Sequence, residues 1–172
     1  TNGKTTTTAL AGALCRAAGK VTAVAGNISP AALSALMTCL DSGKLPEIWV
    51  LELSSFQLET TVSLAADAAA VLNVSDDHLD RYAGLDDYAE AKARIFAGGG
   101  TQVLNRQDAR VLAMANAVSR RLTFGLDAPA GPDDFGLEDG WLMQGSERLL
   151  RADELAIAGL HNVANGLAAL AL

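Results

Sequence analysis

Short apolar runs alternate along the chain with longer segments in which apolar residues recur at helical spacing. The run at 69–74 is apolar on both faces, which is typical of a parallel strand buried between two layers of helices. This alternation predicts a three-layer α/β fold with a mostly parallel sheet. The predicted strands are 21–25, 48–53, 69–74, 101–104 and 121–124, and the predicted helices are 4–18, about 30–40, 86–96, 108–119 and about 161–172.

The part of the chain before the last helix departs from this alternation. Residues 125–140 are rich in Gly, Pro and Asp and predict a loop. Segments 141–143 and 148–151 predict a small antiparallel hairpin near the C-terminal end. Because no internal repeat or low-complexity linker interrupts the pattern, we expect residues 1–172 to form one domain.

Composition narrows the partners that this domain can have. The net charge of −7 argues against general nucleic-acid or membrane-surface binding, but it does not exclude a nucleotide held by one loop. The two cysteines, Cys15 and Cys39, fit no zinc-site spacing and predict buried free thiols in a reducing compartment. No signal peptide or apolar run of membrane-spanning length is visible, so a cytoplasmic protein is expected.

A candidate phosphate-binding loop, Asn2-Gly3-Lys4-Thr5, opens the first helix. In such a loop Gly permits close backbone approach, Lys reaches the β- and γ-phosphates, and the Thr hydroxyl binds Mg²⁺. The alternative is an ordinary helix cap. With the strand alternation, this loop predicts a P-loop mononucleotide-binding fold. Because the chain begins inside the motif, we expect it to be a fragment of a longer protein.

Two further candidate binding sites, Glu52 and the loop 73–82, lie at the ends of predicted buried strands. Glu52 ends the strand 48–53, where open α/β sheets bind ligands, so it is either a Mg²⁺ ligand or an edge residue facing solvent. The loop 73–82 contains three Asp, one Arg and His78. A histidine in this position favours a functional role, with metal ligation and substrate contact both open.

Two helical positions are ambiguous from the residues alone. Lys92 lies in a charged helix and reads as an ordinary solvated lysine. Asn162 opens the last helix, where it can serve as a cap, although an Asn amide can also recognise an adenine edge.

Taken together, these segments resemble the central domain of the Mur ligases, ATP-dependent enzymes that build the peptidoglycan stem peptide. The segment Glu52–Glu59 is similar to that of the D-glutamate-adding members. Ser29 and Ala25 depart from the family, since Gly is usual at both positions. The segments that carry the resemblance are Thr1–Thr6, Gly26–Ile28, Glu52–Glu59, Asn73–Tyr82 and the helix containing Asn162 and Asn165.

The resemblance implies ATP, two Mg²⁺ ions and a carbamylated lysine as cofactors. The resemblance implies that Thr5 and Glu52 hold one Mg²⁺, and that His78 and carbamylated Lys92 hold the other. Lys4, Lys92 and His78 are the implied catalytic residues. The implied nucleotide contacts are Asn2, Gly3, Lys4, Thr5 and Thr6 at the phosphates and Asn162 and Asn165 at adenine, and the implied substrate contacts are Asn27, Ser54 and His78.

The implied reaction activates the carboxylate of UDP-N-acetylmuramoyl-L-alanine as an acyl phosphate. The amine of D-glutamate then attacks it, giving an amide, ADP and phosphate. The resemblance also implies that residues 1–172 are the central ATP-binding domain of a monomer. The N-terminal UDP-binding and C-terminal amino-acid-binding domains are absent, so the isolated chain is expected to be inactive.

Two kinds of alternative remain open. One is another ligase of the same architecture, either a Mur ligase adding a different amino acid or folylpolyglutamate synthetase. The other is a P-loop nucleotide-binding module without ligase activity. His78 together with Lys92 argues against the module, because a simple nucleotide switch needs no second metal site.

Overall fold

The computed structural model describes residues 2–76 and 81–172, which contain six α-helices and eight β-strands in an alternating order. The helices are α1 (Lys4–Ala17), α2 (Ala32–Ser42), α3 (Ser55–Thr60), α4 (Leu85–Ala93), α5 (Ala109–Ala113) and α6 (Leu160–Ala171). The strands are β1 (Thr22–Gly26), β2 (Ile48–Glu52), β3 (Ala68–Val71), β4 (Thr101–Asn105), β5 (Arg121–Phe124), β6 (Phe135–Glu138), β7 (Trp141–Gln144) and β8 (Glu147–Arg151).

The strands form two sheets. In the smaller sheet β1 and β2 pair in parallel, from Thr22 opposite Ile48 to Gly26 opposite Glu52. The larger sheet has the order β3-β4-β5-β6-β7-β8, with parallel pairing from β3 to β6 and antiparallel pairing from β6 to β8. The predicted α/β class, with a mostly parallel sheet and an antiparallel C-terminal region, is confirmed.

Helices cover both faces of the larger sheet. Val103 and Leu104 are neighbours in β4 and both are fully buried, one on each face. Val103 packs with α6 residues such as Leu167, whereas Leu104 packs with Phe96 and with Val111 of α5. Burial on both faces also explains why β3 is a continuous apolar run rather than an alternating one.

Helix α1 links the two sheets, since it contacts β1 and β2 on one side and α6 on the other. Small residues allow this close packing: a Cβ added at Gly12 would overlap the side chain of Val24 in β1. The N-terminus of α1 is thereby placed beside the C-terminal end of β2 and the start of α6. This junction is where the candidate site lies.

The predicted helix 108–119 is too long, because α5 ends at Ala113. Asn116 Oδ1 accepts hydrogen bonds from the backbone N–H groups of Val118 and Ser119, and Gln102 Oε1 accepts one from Asn116 N. These side chains satisfy backbone donors that a longer helix would have used.

Strand β3 is shorter than the predicted 69–74, because side chains bind the backbone after Val71. Asn105 Nδ2 donates to the Leu72 carbonyl at 2.8 Å, and the Val74 N–H donates to Asp108 Oδ2 at 2.8 Å. The chain leaves the sheet at this point and enters the loop that carries candidate site residues.

The predicted loop 125–140 contains a strand, β6, which pairs with β7. Asp139 and Gly140 join the two strands with φ values of 50° and 78°, the left-handed pair that a tight hairpin turn needs. The Asp-Gly dipeptide was therefore a hairpin signal. The predicted hairpin at 141–151 is present as β7 and β8.

Cys15 and Cys39 are free, as predicted, but each is half-buried rather than buried. Within the described ranges, no helix has both the length and the apolar character needed to cross a bilayer.

Candidate nucleotide and metal site

The loop before α1 has the backbone of an anion-binding turn. Gly3 is the N-cap of α1 and has a φ of 84°, in the left-handed region that favours glycine. A glycine has no side chain to take the free N–H groups of the first helical turn, so they stay available to an anion. This geometry favours the phosphate loop over the ordinary helix cap that the sequence left open.

Thr5, Glu52 and Asn27 come together where α1 begins and β2 ends. The Thr5 hydroxyl donates to Glu52 Oε2 at 2.8 Å, and Asn27 Nδ2 donates to Glu52 Oε1 at 3.2 Å. The Asn27 N–H also donates to the Glu52 carbonyl at 2.7 Å. Glu52 is only 4% exposed, so the alternative of an edge residue facing solvent is wrong.

These oxygens fit a small hard cation. Mg²⁺ is commonly held by one or two carboxylates together with hydroxyls, waters and substrate phosphates. The Thr5 hydroxyl and the Glu52 carboxylate supply such donors next to a loop suited to phosphate. In the part of the chain that the structure describes, no three His, Cys, Asp or Glu side chains cluster as a metal cage.

Lys92 is buried, at 6% exposure, so the expectation of a solvated helix lysine is wrong. It lies on the inner face of α4 together with Tyr88 and Ala91, at the i, i+3 and i+4 spacing of one helix face. Its Nζ lies 4.5 Å from the centre of the Tyr88 ring. Lys92 and Lys4 line the same cavity of about 40 Å³, which brings two predicted catalytic lysines to one place.

His78 and its neighbours Asp77, Leu79 and Asp80 lie outside the described residues. The described segment before them is tied to the phosphate loop just after β3. The Asn2 N–H donates to Asn73 Oδ1 at 2.8 Å, and Asn73 Nδ2 donates to the Asn2 carbonyl at 2.9 Å. Asn73 was not singled out in the sequence, because only the fold brings residues 71 positions apart into contact.

The predicted adenine residues lie at the start of α6, beside the phosphate loop. Asn165 is 8% exposed, and its Oδ1 accepts a long 3.4 Å hydrogen bond from the Thr7 hydroxyl. A Cβ at Gly3 would overlap the same oxygen. Asn165 Nδ2 donates to Asn162 Oδ1 at 3.3 Å, so the two amides are coupled.

Ser54 follows Glu52 by two residues and caps α3. Its Oγ accepts from the Gln57 N–H at 3.2 Å, while Gln57 Oε1 accepts from the Ser54 N–H at 2.8 Å. This reciprocal capping box explains why a short helix starts here. Helix α3 was not predicted, although the Ser-x-x-Gln spacing of Ser54 and Gln57 was a local signal for it.

A second polar cluster lies at the other end of α3, around Glu59. Its carboxylate accepts hydrogen bonds from Arg81 Nη2 at 2.7 Å and from the Tyr82 hydroxyl at 2.5 Å. The hydrogen bond from Arg81, followed by that from Tyr82, lowers the pKa of the Glu59 carboxyl below its ordinary value. Burial, followed by the neighbouring Glu59 carboxylate, raises the pKa of the Tyr82 phenol.

Curated relatives match the chain along its whole length. It is 59% identical to UDP-N-acetylmuramoylalanine--D-glutamate ligase of Nitrosomonas europaea, covering 99% of this chain and 38% of the relative. It is 62% identical to the enzyme of the same name from Aromatoleum aromaticum, covering 100% of this chain and 38% of that relative. The chain thus spans about two fifths of the length of these relatives.

A solved structure and a family model also match the chain along nearly its whole length. The pseudomurein peptide ligase type C from Methanothermus fervidus has a similar fold, with a TM-score of 0.71 at 16% identity over 99% of this chain and 44% of that one. The family model described as Mur ligase middle domain matches residues 1–172. The chain therefore belongs to the Mur ligase family and corresponds to its middle domain.

Proposed function

We propose that this domain belongs to an ATP-dependent ligase that joins D-glutamate to UDP-N-acetylmuramoyl-L-alanine and releases ADP and phosphate. The observation that carries the proposal is the hydrogen-bonded pair Thr5–Glu52 at the start of α1, in a chain whose relatives are named for this reaction. A hydroxyl and a carboxylate beside a helix N-terminus are suited to a magnesium-bound triphosphate.

The start of α1 holds the triphosphate of ATP in this proposal. Backbone N–H groups and the ammonium of Lys4 take the charge of the phosphates, while Thr5 and Glu52 hold one Mg²⁺. When bound, Mg²⁺ neutralises phosphate charge, so that a carboxylate can approach the γ-phosphorus. The phosphate-contacting residues are Asn2, Gly3, Lys4, Thr5 and Thr6.

Lys92 carries a carbamate in the active protein. The ammonium first loses a proton, and the neutral amine then attacks CO₂. An N–C bond forms, one C–O π bond of CO₂ breaks and the nitrogen loses a second proton, so that a cation becomes an anionic oxygen ligand. Burial of Lys92 supports this step, because a buried ammonium is costly without a partner and no described carboxylate forms an ion pair with it. The carbamate and His78 hold a second Mg²⁺, and His78 also faces the substrate carboxylate.

The remaining contacts orient the two substrates. Asn27 and Ser54 flank Glu52 and face the UDP-linked substrate, which sets its carboxylate against the γ-phosphate. The acyl phosphate that forms is attacked by the D-glutamate amine, and phosphate leaves as the amide forms. Asn162 and Asn165 face adenine, a role supported by their position beside the phosphate loop.

In the proposal the whole protein is a cytoplasmic monomer without nucleic-acid or membrane partners. Its UDP-binding and amino-acid-binding domains flank this central ATP-binding domain. The central domain alone therefore holds neither substrate well and does not turn over.

The test is an amino-acid panel on the full-length protein, with ATP, Mg²⁺ and UDP-N-acetylmuramoyl-L-alanine present and ADP as the readout. ADP formation that requires D-glutamate supports the proposal. Dependence on another amino acid indicates a different Mur ligase, and dependence on a folate with L-glutamate indicates folylpolyglutamate synthetase. ATP binding without any amino-acid-dependent turnover indicates a nucleotide-binding module.

A further inference from the structure

We infer that Glu59 is a positioning residue for the ligase site, holding Arg81 and Tyr82 against the ends of α3 and α4. The expected effect on catalysis rests on the proposed function. The geometry rests only on contacts among the described residues.

Glu59 joins three separate segments of the chain. Its carboxylate accepts from Arg81 and Tyr82, the first two described residues after the segment 77–80. Its backbone carbonyl accepts from Arg94 Nη1 at 3.3 Å, just past the end of α4. One residue of α3 therefore binds both Arg81 and Tyr82 and the end of the helix that carries Lys92.

Two packed aromatic rings, tilted by 41° to each other, continue the contact from Glu59 toward Lys92. The Tyr82 and Tyr88 rings have centroids 5.0 Å apart, and the Tyr88 ring lies 4.5 Å from Lys92 Nζ. Tyr82 and Tyr88 are both buried, so neither ring can move without displacing its neighbour. Displacement of Tyr82 would therefore be transmitted to the buried lysine.

The aromatic residue Phe56 closes the cluster on the α3 side. The Arg81 guanidinium lies 4.5 Å from the centre of the Phe56 ring, and the Phe56 and Tyr82 rings are stacked at 6.3 Å. Arg81 is thus fixed by Glu59 at its nitrogen atoms and by Phe56 at its face.

Helix α3 also connects Glu59 to the Thr5–Glu52 pair. The helix begins three residues after Glu52 and ends one residue after Glu59, with its start fixed by the capping box of Ser54. The start of this short helix thus lies three residues after Glu52 in the chain, and near its other end Glu59 binds Arg81 and Tyr82. Glu59 therefore sets the position of Arg81 and Tyr82 with respect to the segment that follows Glu52.

The experiment compares Glu59→Gln and Tyr82→Phe with wild type in the full-length protein, measuring kcat, the KM of each substrate and the thermal unfolding midpoint. Glu59→Gln keeps the size of the side chain but removes its charge. Because misplacement of reacting groups costs on the order of 10²-fold in rate, we expect kcat to fall about 10- to 100-fold in Glu59→Gln. The KM for ATP should change little, since the start of α1 is not touched. Tyr82→Phe keeps the ring and should lower kcat less.

The matched control is Glu47→Gln. Glu47 is also in an ion pair, with Lys20 Nζ 3.2 Å from its Oε1, and it accepts the Val21 N–H at 3.0 Å, but it lies at the other end of β2. We expect wild-type kcat in this variant. Wild-type kcat in Glu59→Gln, or a loss only in proportion to unfolded protein, would overturn the inference. An inactive wild type would instead count against the proposed function. In that case the pKa of Tyr82, measured by the absorbance of its phenolate, tests the contact with Glu59 without any measurement of activity.

Discussion

The hydroxyl of Thr5 and the carboxylate of Glu52 meet at 2.8 Å, although 47 residues separate them in the sequence. Thr5 belongs to the first turn of α1, and Glu52 is the last residue of β2. The packing of α1 on β1 and β2 creates this contact, so the pair depends on the fold rather than on any local motif. It is also the part of the candidate site that local substitutions can test most directly.

Replacing Glu52 with Gln should remove one negative charge while keeping the size of the side chain. We expect kcat of the full-length protein to fall on the order of 10²-fold, because the variant loses a charged ligand for Mg²⁺. The Mg²⁺ concentration that gives half-maximal activity should also rise. Both quantities are measured by titrating Mg²⁺ at saturating ATP.

Thr5 offers a matched pair of variants for the same contact. Thr5→Ser keeps the hydroxyl and should retain most of the activity, whereas Thr5→Ala should resemble Glu52→Gln in its Mg²⁺ dependence. Equal activity in Thr5→Ala and wild type would remove this hydroxyl from the metal site.

The close approach of Gly3 to Asn165 predicts a cost for any side chain at position 3. Gly3→Ala forces a Cβ against Asn165 Oδ1 and holds an L-residue at a φ of 84°. We expect a loss of about 2 kcal/mol in the free energy of unfolding and a raised KM for ATP. Urea unfolding and ATP titration of the full-length protein measure the two effects.

Gly19→Ala is the control for backbone strain. Gly19 has a φ of 80° just after α1, but a Cβ there would meet nothing within 4 Å. The Gly19→Ala variant should therefore lose only about 1 kcal/mol in the free energy of unfolding, and its KM for ATP should be unchanged. If both alanine variants behaved alike, the contact with Asn165 would have no separate role.

Lys92→Met separates the packing of the lysine from its proposed chemistry. Met replaces the buried stem with an apolar side chain of similar length, so the free energy of unfolding should be equal to wild type or higher by about 1 kcal/mol. Ligation should be lost, and added bicarbonate should not restore it, because Met cannot form a carbamate. Retained activity in a folded Lys92→Met protein would remove Lys92 from the mechanism.

Strands β1, β2 and β3 were predictable because they read as apolar runs between helices. Glu52 stood out for the same reason, as a carboxylate at the end of such a run. Strand β6 was missed because the Gly-, Pro- and Asp-rich composition around it predicts loop. Its Asp139-Gly140 turn was the local signal that outweighs that composition.

The burial of Lys92 could not be predicted from the residues alone. Its helix is short and charged, and the choice of inner face depends on Tyr82 and Phe56, which pack against Tyr88 and Ala91 of this helix only in the folded chain. The role of Glu59 depends on contacts with residues 22 and 23 positions away, so the spacing of apolar residues along the chain cannot predict it. Local patterns predicted the elements of this domain, whereas the polar contacts between elements required the structure.

The hydrogen bond between Glu59 and Tyr82 predicts how the cluster responds to pH. The pKa of Glu59 lies below its ordinary 4.5, so the stability that this carboxylate contributes is present above pH 4.5 and is lost as the pH falls through the lowered value. The pKa of Tyr82 lies above its ordinary 10.0, so the stability that the neutral phenol contributes is present below pH 10.0 and is lost as the pH rises through the raised value. We therefore expect the cluster to stay intact between about pH 5 and about pH 9.

Tyrosinate absorbance reports this response directly. Subtracting the alkaline titration of Tyr82→Phe from that of the full-length wild type isolates Tyr82, whose midpoint should lie above 10.0. Glu59→Gln should lower that midpoint, since it removes a negative charge that opposes the phenolate, but burial should keep it above the ordinary value. Glu47→Gln should leave it unchanged. A Tyr82 midpoint that is the same in Glu59→Gln and wild type would show that the carboxylate does not hold the phenol in solution.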